Sequence, residues 1–166
     1  MKIGIVGLGY VGLPLAVAFA EAGEQVIAVD VDPRKIAAIR DGDSYIEDIP
    51  SERLRAVLPS IDATAHYQPL ARTDAVLICV PTPLTANREP DLGALTAAAQ
   101  GLGQVLQRGQ LVELESTAYL GTTRDASFRC SSRSPSCGSV WMSTWRFLRS
   151  AWIPVAPTTR CATRPR

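Results

Sequence analysis

At 166 residues with 46% hydrophobic content, the chain suits one domain with a core of its own. It has no apolar run long enough for a membrane span and no basic start followed by a cleavable apolar segment, so a soluble cytoplasmic protein with no membrane partner is expected. The net charge of +1 hides a split: residues 1–125 hold all sixteen acids against ten Lys and Arg, whereas residues 126–166 hold seven Arg, no Lys and no acid. Two compositions therefore join near residue 125.

Lys2-Ile3-Gly4-Ile5-Val6 is a short apolar run that ends in glycines, the pattern of a strand buried on both faces of a parallel sheet. Gly7-Leu8-Gly9-Tyr10-Val11-Gly12 follows, and Leu13 to Ala20 is a helix former with Gly23 as its stop. Strand, glycine turn and helix in that order predict a dinucleotide-binding unit. Gly7 makes the turn, Gly9 lets the backbone approach a pyrophosphate, Gly12 lets helix and strand pack closely, and the phosphate charge sits at the helix N-terminus. The glycine motif alone is weak, but Gln25 to Val29 supplies the required second strand and Asp30 ends it. A glycine turn in some other α/β protein does not explain Asp30. A carboxylate there accepts hydrogen bonds from ribose hydroxyls and repels a 2′-phosphate, which favours NAD over NADP, although Arg34 and Lys35 stand close enough to soften that preference.

Further along, Asp32 and Pro33 start a helix that Asp41-Gly42-Asp43 ends. Ser51 is expected to cap a short helix through Leu58, Ile61 to Ala65 a weak strand, and Tyr67 to Arg72 a helical turn. Ala75 to Val80 reads as a central parallel strand, and Pro81-Thr82-Pro83-Leu84-Thr85 as a stiffened loop without ladder pairing, at the strand end where open α/β sheets bind ligands. Asp91 is expected to cap a helix from Leu92 to Leu106, Gln110 to Glu115 to form another strand, and Ser116-Thr117 to fall at its carboxyl end. Thr122 to Asp125 has capping-box spacing, but Ala126 onward has neither helical nor strand periodicity. The expected fold is thus a Rossmann-type doubly wound parallel sheet, truncated, with residues 1–125 as the NAD-binding domain and 126–166 as a disordered tail that leaves the sheet edge unpaired.

These strings resemble the nucleotide-sugar 6-dehydrogenases, the UDP-glucose/GDP-mannose dehydrogenase family. The resemblance rests on Gly7 to Ala16, Val29-Asp30-Val31-Asp32, Val80-Pro81-Thr82-Pro83 and Glu115-Ser116-Thr117, and covers about residues 1 to 125. Ser44 to Ile49 and Asn87 to Leu92 resemble the branch acting on UDP-N-acetylhexosamines, in particular UDP-N-acetylglucosamine. The resemblance implies oxidation of the C6 alcohol of a UDP-sugar to a uronic acid in two hydride transfers to NAD⁺, with a cysteine nucleophile located in a later domain. It implies that Gly7, Gly9, Tyr10, Val11 and Gly12 hold the pyrophosphate and that Asp30 and Lys35 hold the adenosine ribose. Pro81, Thr82 and Pro83 would line the nicotinamide side with Ser116, and Thr117 would stand at the reacting carbon as the catalytic residue of this segment. Ala118 replaces the usual Thr of this branch, and Leu120 the usual Pro. Family members form homo-oligomers through a helix that has no counterpart in this sequence. A β-hydroxyacid dehydrogenase shares the glycine unit but not Tyr10-Val11 or the Pro81 to Pro83 loop, and an NAD-binding fragment without catalysis is the other reading.

The family continues with a strand and a loop of the form F-S-P-E-R-V-D-P-G, which residues 126–166 lack as written. Codons rebuilt from the last base of one residue and the first two of the next recover it. Trp141-Met142 and Trp152-Ile153 must each give Asp, and Val140 to Val155 can encode V-D-V-H-L-A-F-S-P-E-R-V-D-P-G. A one-base shift near codons 123 to 126 is the expected origin of the tail. The seven tail arginines then carry no nucleic-acid partner, and Cys130, Cys137 and Cys161 no metal. Cys79 reads as a buried thiol, His66 as an isolated histidine, and Asp43, Glu47 and Asp48 as a solvated loop rather than a metal site.

Overall fold

The structure is a computed structural model that describes residues 1–85 and 90–115, together with the backbone of strands at 141–148, 151–154 and 159–160. Strand β1 (Lys2–Val6) is followed by helix α1 (Gly12–Glu21), strand β2 (Gln25–Val29), helices α2 (Pro33–Asp41) and α3 (Ser51–Val57), and strand β3 (Ile61–Thr64). Strand β4 (Ala75–Ile78), helix α4 (Gly93–Gly103) and strand β5 (Leu111–Leu114) complete the fully described part. Two 3-10 turns, Leu58–Ser60 and Gln68–Arg72, flank β3.

The strands lie in the order β3-β2-β1-β4-β5, and each neighbouring pair is parallel. This is the doubly wound arrangement, with its switch point between β1 and β4, where the chain leaves β1 toward one edge and returns toward the other. The core has two layers, one on each face of the sheet. On one face Ile3, Ile5 and Ala28 pack with Leu13, Ala16 and Val17 of α1, Ile36 and Ile39 of α2, and Leu54 of α3. On the other, Val6, Val76, Ile78, Val112 and Leu114 pack with Leu95, Ala98 and Leu102 of α4. Strands buried on both sides explain why β1 and β4 read as continuous apolar runs instead of alternating ones.

Local chemistry fixes the element ends. Asp32 accepts from the Arg34 amide at 2.9 Å and Pro33 opens α2, while Gly42 ends it at φ +75°. Ser51 does not cap α3. It is the first helical residue, and its hydroxyl instead accepts from the Ser44 amide at 3.0 Å, tying the 44–50 loop to the helix. Asp91 accepts from the Gly93 amide at 2.8 Å ahead of α4. The proline loop also departs from expectation: Leu84 and Pro90 form an isolated antiparallel bridge, and Pro83 accepts from the Asp91 amide at 2.7 Å. Proline lacks a donor but keeps its carbonyl, so it pairs as an acceptor.

The expectation of a tail without strands is corrected. Strand β6 (Trp141–Leu148) runs parallel beside β5, strand β7 (Ala151–Pro154) pairs antiparallel with β6, and strand β8 (Thr159–Arg160) also pairs β6. The order therefore extends to β3-β2-β1-β4-β5-β6-β7, and β5 is not left unpaired. A segment with three tryptophans and three threonines between residues 141 and 160 has strand propensity without needing a period, and the β5 edge offers it a ladder.

Candidate functional site

The carboxyl ends of β1, β2 and β4 converge on one edge of the sheet. Gly7 leaves β1 with φ +95°, where a Cβ would lie 2.7 Å from the Cys79 carbonyl oxygen, so the turn and the close approach to β4 both require glycine. Its amide donates to the Val29 carbonyl at 2.8 Å, joining the loop to β2. At Gly12 a Cβ would stand 1.8 Å from the Gly7 carbonyl oxygen, so the close approach of α1 to the loop after β1 requires glycine. Gly9 differs, since nothing lies within 4 Å of its Cβ position. The loop backbone is thus open on that side, the shape a bulky oxyanion needs in order to reach the main chain.

Helix α1 starts at Gly12 without a side-chain cap, and Leu13 donates to the Gly9 carbonyl at 3.1 Å. The amides of Tyr10, Val11 and Gly12 precede that bond, and first-turn amides have no intrahelical acceptor. Together with the helix dipole they form an anion-binding end. Tyr10 and Val11 carry exposed side chains here, as does Val31 past the end of β2, giving apolar surface around the loop.

Asp30 is buried at the end of β2. Its Oδ2 accepts from the Leu8 amide at 2.7 Å and from Lys35 Nζ at 3.0 Å, and its Oδ1 accepts from the Asp32 amide at 2.9 Å. Two carboxylate oxygens offer about four lone-pair sites, and these three bonds leave one on Oδ1 for a ribose hydroxyl. Lys35 compensates the buried charge, and Arg34 forms a bidentate pair with Asp32. That pair holds the Asp32 carboxyl below its usual range and raises the Arg34 guanidinium.

Tyr45, from the loop between α2 and α3, donates from its hydroxyl to the Leu8 carbonyl at 2.7 Å. Sequence reasoning noted Tyr45 only within a branch motif. Its contact spans 37 residues and leaves no local signal.

Pro81, Thr82 and Pro83 follow β4 at the same edge, with both prolines exposed. Cys79 is buried beside the glycine loop, and burial, reinforced by the charges of Glu115 and Glu113, pushes its thiol up to about 12. Glu113 on β5 was not singled out from the sequence. Burial first, then the Glu115 charge and a hydrogen bond with it, raise Glu113 to about 7, and burial also raises Glu115. Ser116, Thr117, Ala118 and Leu120 lie outside the described residues, as do the Thr122 to Asp125 cap, residues 87–89 of the branch motif, and Cys130, Cys137 and Cys161. Among the described residues no group of His, Cys, Asp or Glu could hold a metal ion, and no helix is long and apolar enough to cross a membrane.

Comparison with known proteins agrees with this architecture. The profile of the UDP-glucose/GDP-mannose dehydrogenase family, NAD binding domain, matches residues 1–137. The chain is 38% identical over 126 residues to UDP-N-acetyl-D-glucosamine 6-dehydrogenase of Pseudomonas aeruginosa, covering 75% of this chain and 29% of that protein. It is 40% identical over 136 residues to NDP-N-acetyl-D-galactosaminuronic acid dehydrogenase of Ralstonia nicotianae, covering 80% of this chain and 31% of that one. Among solved structures, the UDP-D-ManNAc dehydrogenase of Pyrococcus horikoshii superposes with a TM-score of 0.76 at 33% identity, over 89% of this chain and 37% of the other. The GDP-mannose dehydrogenase of Pseudomonas aeruginosa, solved as a ternary complex, gives 0.78 at 28% identity, over 90% and 37%. The chain therefore spans about a third or less of the curated relatives it matches. On the profile match and the shared architecture, the chain belongs to the UDP-glucose/GDP-mannose dehydrogenase family, of which it carries the NAD-binding domain.

Proposed function

We propose that this chain supplies the cofactor half of an NAD-dependent oxidation of the C6 alcohol of a UDP-sugar, a UDP-N-acetylhexosamine, to the uronic acid, a building block for polysaccharide assembly in the cytoplasm. The observation that carries the reading is the pairing of an open Gly9 beneath the α1 N-terminus with the buried Asp30 carboxylate one strand away. The amides of Tyr10, Val11 and Gly12 hold the pyrophosphate, and Asp30, steadied by Lys35, accepts from the adenosine ribose. Pro81, Thr82 and Pro83 border the nicotinamide with Ser116, and Thr117 stands at the reacting carbon. When bound, NAD⁺ supplies the hydride acceptor; the residues of this chain bind and orient it.

The chain alone binds NAD without turning over a sugar. The proposed chemistry calls for a cysteine nucleophile, and Cys79 cannot serve: it is buried, and its thiol titrates at about 12, so it stays protonated and unreactive at neutral pH. The change of composition near residue 125 marks a one-base change of reading frame, with 1–125 as the cofactor domain and 126–166 as out-of-frame tail. Titration calorimetry with NAD⁺, combined with an assay of NADH release from UDP-N-acetylglucosamine, tests the function, with binding and no release expected. Absence of binding refutes the cofactor reading, and NADH release refutes inactivity. Resequencing the DNA across codons 120 to 130 tests the frame, and an intact frame matching that of full-length relatives refutes it.

A further inference from the structure

We infer that Tyr45 is a positioning residue for the cofactor loop: its hydroxyl fixes the plane of the Leu8–Gly9 peptide and so aims the Gly9 amide into the open side of the loop. The inference rests on the NAD-binding reading above and extends it to a residue outside the glycine motif. Tyr45 donates to the Leu8 carbonyl at 2.7 Å, while the Leu8 amide donates to Asp30 Oδ2 at 2.7 Å. Both polar groups of Leu8 are thus held by side chains, one from the 44–50 loop and one from the end of β2. The Leu8 side chain is fully buried, so the residue has no freedom to roll.

In a planar trans peptide the carbonyl and the following N–H point in opposite directions. Pinning the Leu8 oxygen against Tyr45 therefore turns the Gly9 N–H away from the Tyr45 hydroxyl, at a residue whose Cβ position has no atom within 4 Å. An oxyanion approaching there meets an amide already aimed at it, and no reorientation is needed on binding.

The donor is itself well anchored. Tyr45 packs against the first core layer, which includes buried Ile46 and Ile49, and the Ser44 hydroxyl donates to the Ile46 carbonyl at 3.2 Å while the Ser44 amide donates to Ser51. Burial, with the nearby charges of Asp30 and Asp32, raises the phenol above its usual range, so it remains a donor throughout the neutral and mildly alkaline range.

The test is Tyr45→Phe in the full chain, which keeps the ring and removes the hydroxyl. Amide exchange by NMR is expected to quicken at Leu8 by about fivefold and to stay unchanged at Ile5, the control for an intact fold. ADP-ribose, which carries the pyrophosphate, is expected to bind about fivefold more weakly, with adenosine binding unchanged. Unchanged exchange at Leu8, unchanged ADP-ribose affinity, or equal weakening of ADP-ribose and adenosine would each overturn the inference. If the unsubstituted chain fails to bind ADP-ribose, the NAD-binding reading falls, and the exchange rates alone decide whether Tyr45 holds the loop.

Discussion

Substituting Ala at Gly9 and, separately, at Gly12 divides the glycine loop into a binding part and a folding part. At Gly9 the added methyl meets nothing within 4 Å, and the backbone there is not in the left-handed region, so the native fold accepts it. Replacing glycine where no strain results stabilises by about 0.4–1 kcal/mol through the unfolded chain, a rise of about 1–4 °C in Tm for a protein of this size. The same methyl occupies the space a pyrophosphate needs. Losing one charge-assisted hydrogen bond from a loop amide costs about 1.5–3 kcal/mol, which weakens NAD⁺ by at least about tenfold. At Gly12 the methyl carbon would sit 1.8 Å from the Gly7 carbonyl oxygen, and that oxygen must retreat by more than about 1 Å to reach a tolerable contact. Backbone on both sides of the clash makes overpacking of about 1–3 kcal/mol the larger effect, outweighing the gain of about 1 kcal/mol from alanine in a helix. Gly12→Ala should therefore lower Tm and weaken NAD⁺ together. Differential scanning calorimetry with titration of NAD⁺ reads both quantities. A Gly9→Ala chain that binds NAD⁺ like the parent, or a Gly12→Ala chain with unchanged Tm, would refute the reasoning.

Other perturbations follow from the same geometry. Asp30→Asn keeps an acceptor for the Leu8 amide but removes the charge that Lys35 neutralises and that repels a 2′-phosphate; the NAD⁺/NADP⁺ affinity ratio should fall by about tenfold, and an unchanged ratio counts against the role of Asp30. Glu113, raised by burial to about 7 from an ordinary 4.5, keeps a proton in the folded state that the unfolded chain has released. Stability should therefore fall as pH rises from about 4.5 to 7, and Glu113→Gln should raise Tm at pH 8 but not at pH 4.5, as measured by thermal melts across that range. Gln110→Ala removes a buried amide that donates to the Leu70 and Thr73 carbonyls and to the Thr73 hydroxyl, stranding acceptors in the core. A loss of about 2 kcal/mol or more is expected in urea denaturation, with the m-value retained.

Much of this was legible because it is written in local chemistry. The β1 run, the glycine spacing, Asp30 and the Asp32-Pro33 start of α2 all state their structure within a few residues, and the strand order follows from the alternation of strands and helices. Contacts closed across long stretches of chain were not legible. Tyr45 reaches Leu8 over 37 residues and Gln110 reaches Thr73 over the same separation, and nothing adjacent in sequence announces either bond. Glu113 left no signal because an acid alternating with apolar residues in a strand reads as a solvent-facing residue, and only the assembled sheet half-buries it beside Glu115. The tail strands leave no periodic signal for a related reason: a ladder with β5 needs only an extended backbone.

The pairing of β5 with β6 has a wider implication. Ladder hydrogen bonds join main-chain atoms, which are the same whatever residues carry them, so closure of this edge is indifferent to the message encoded in the closing segment. The β5 edge is thus covered by β6 through main-chain bonds alone. In molecular-quality-control terms, the border open to foreign strands is moved from the parallel strand β5 to the short antiparallel strand β7.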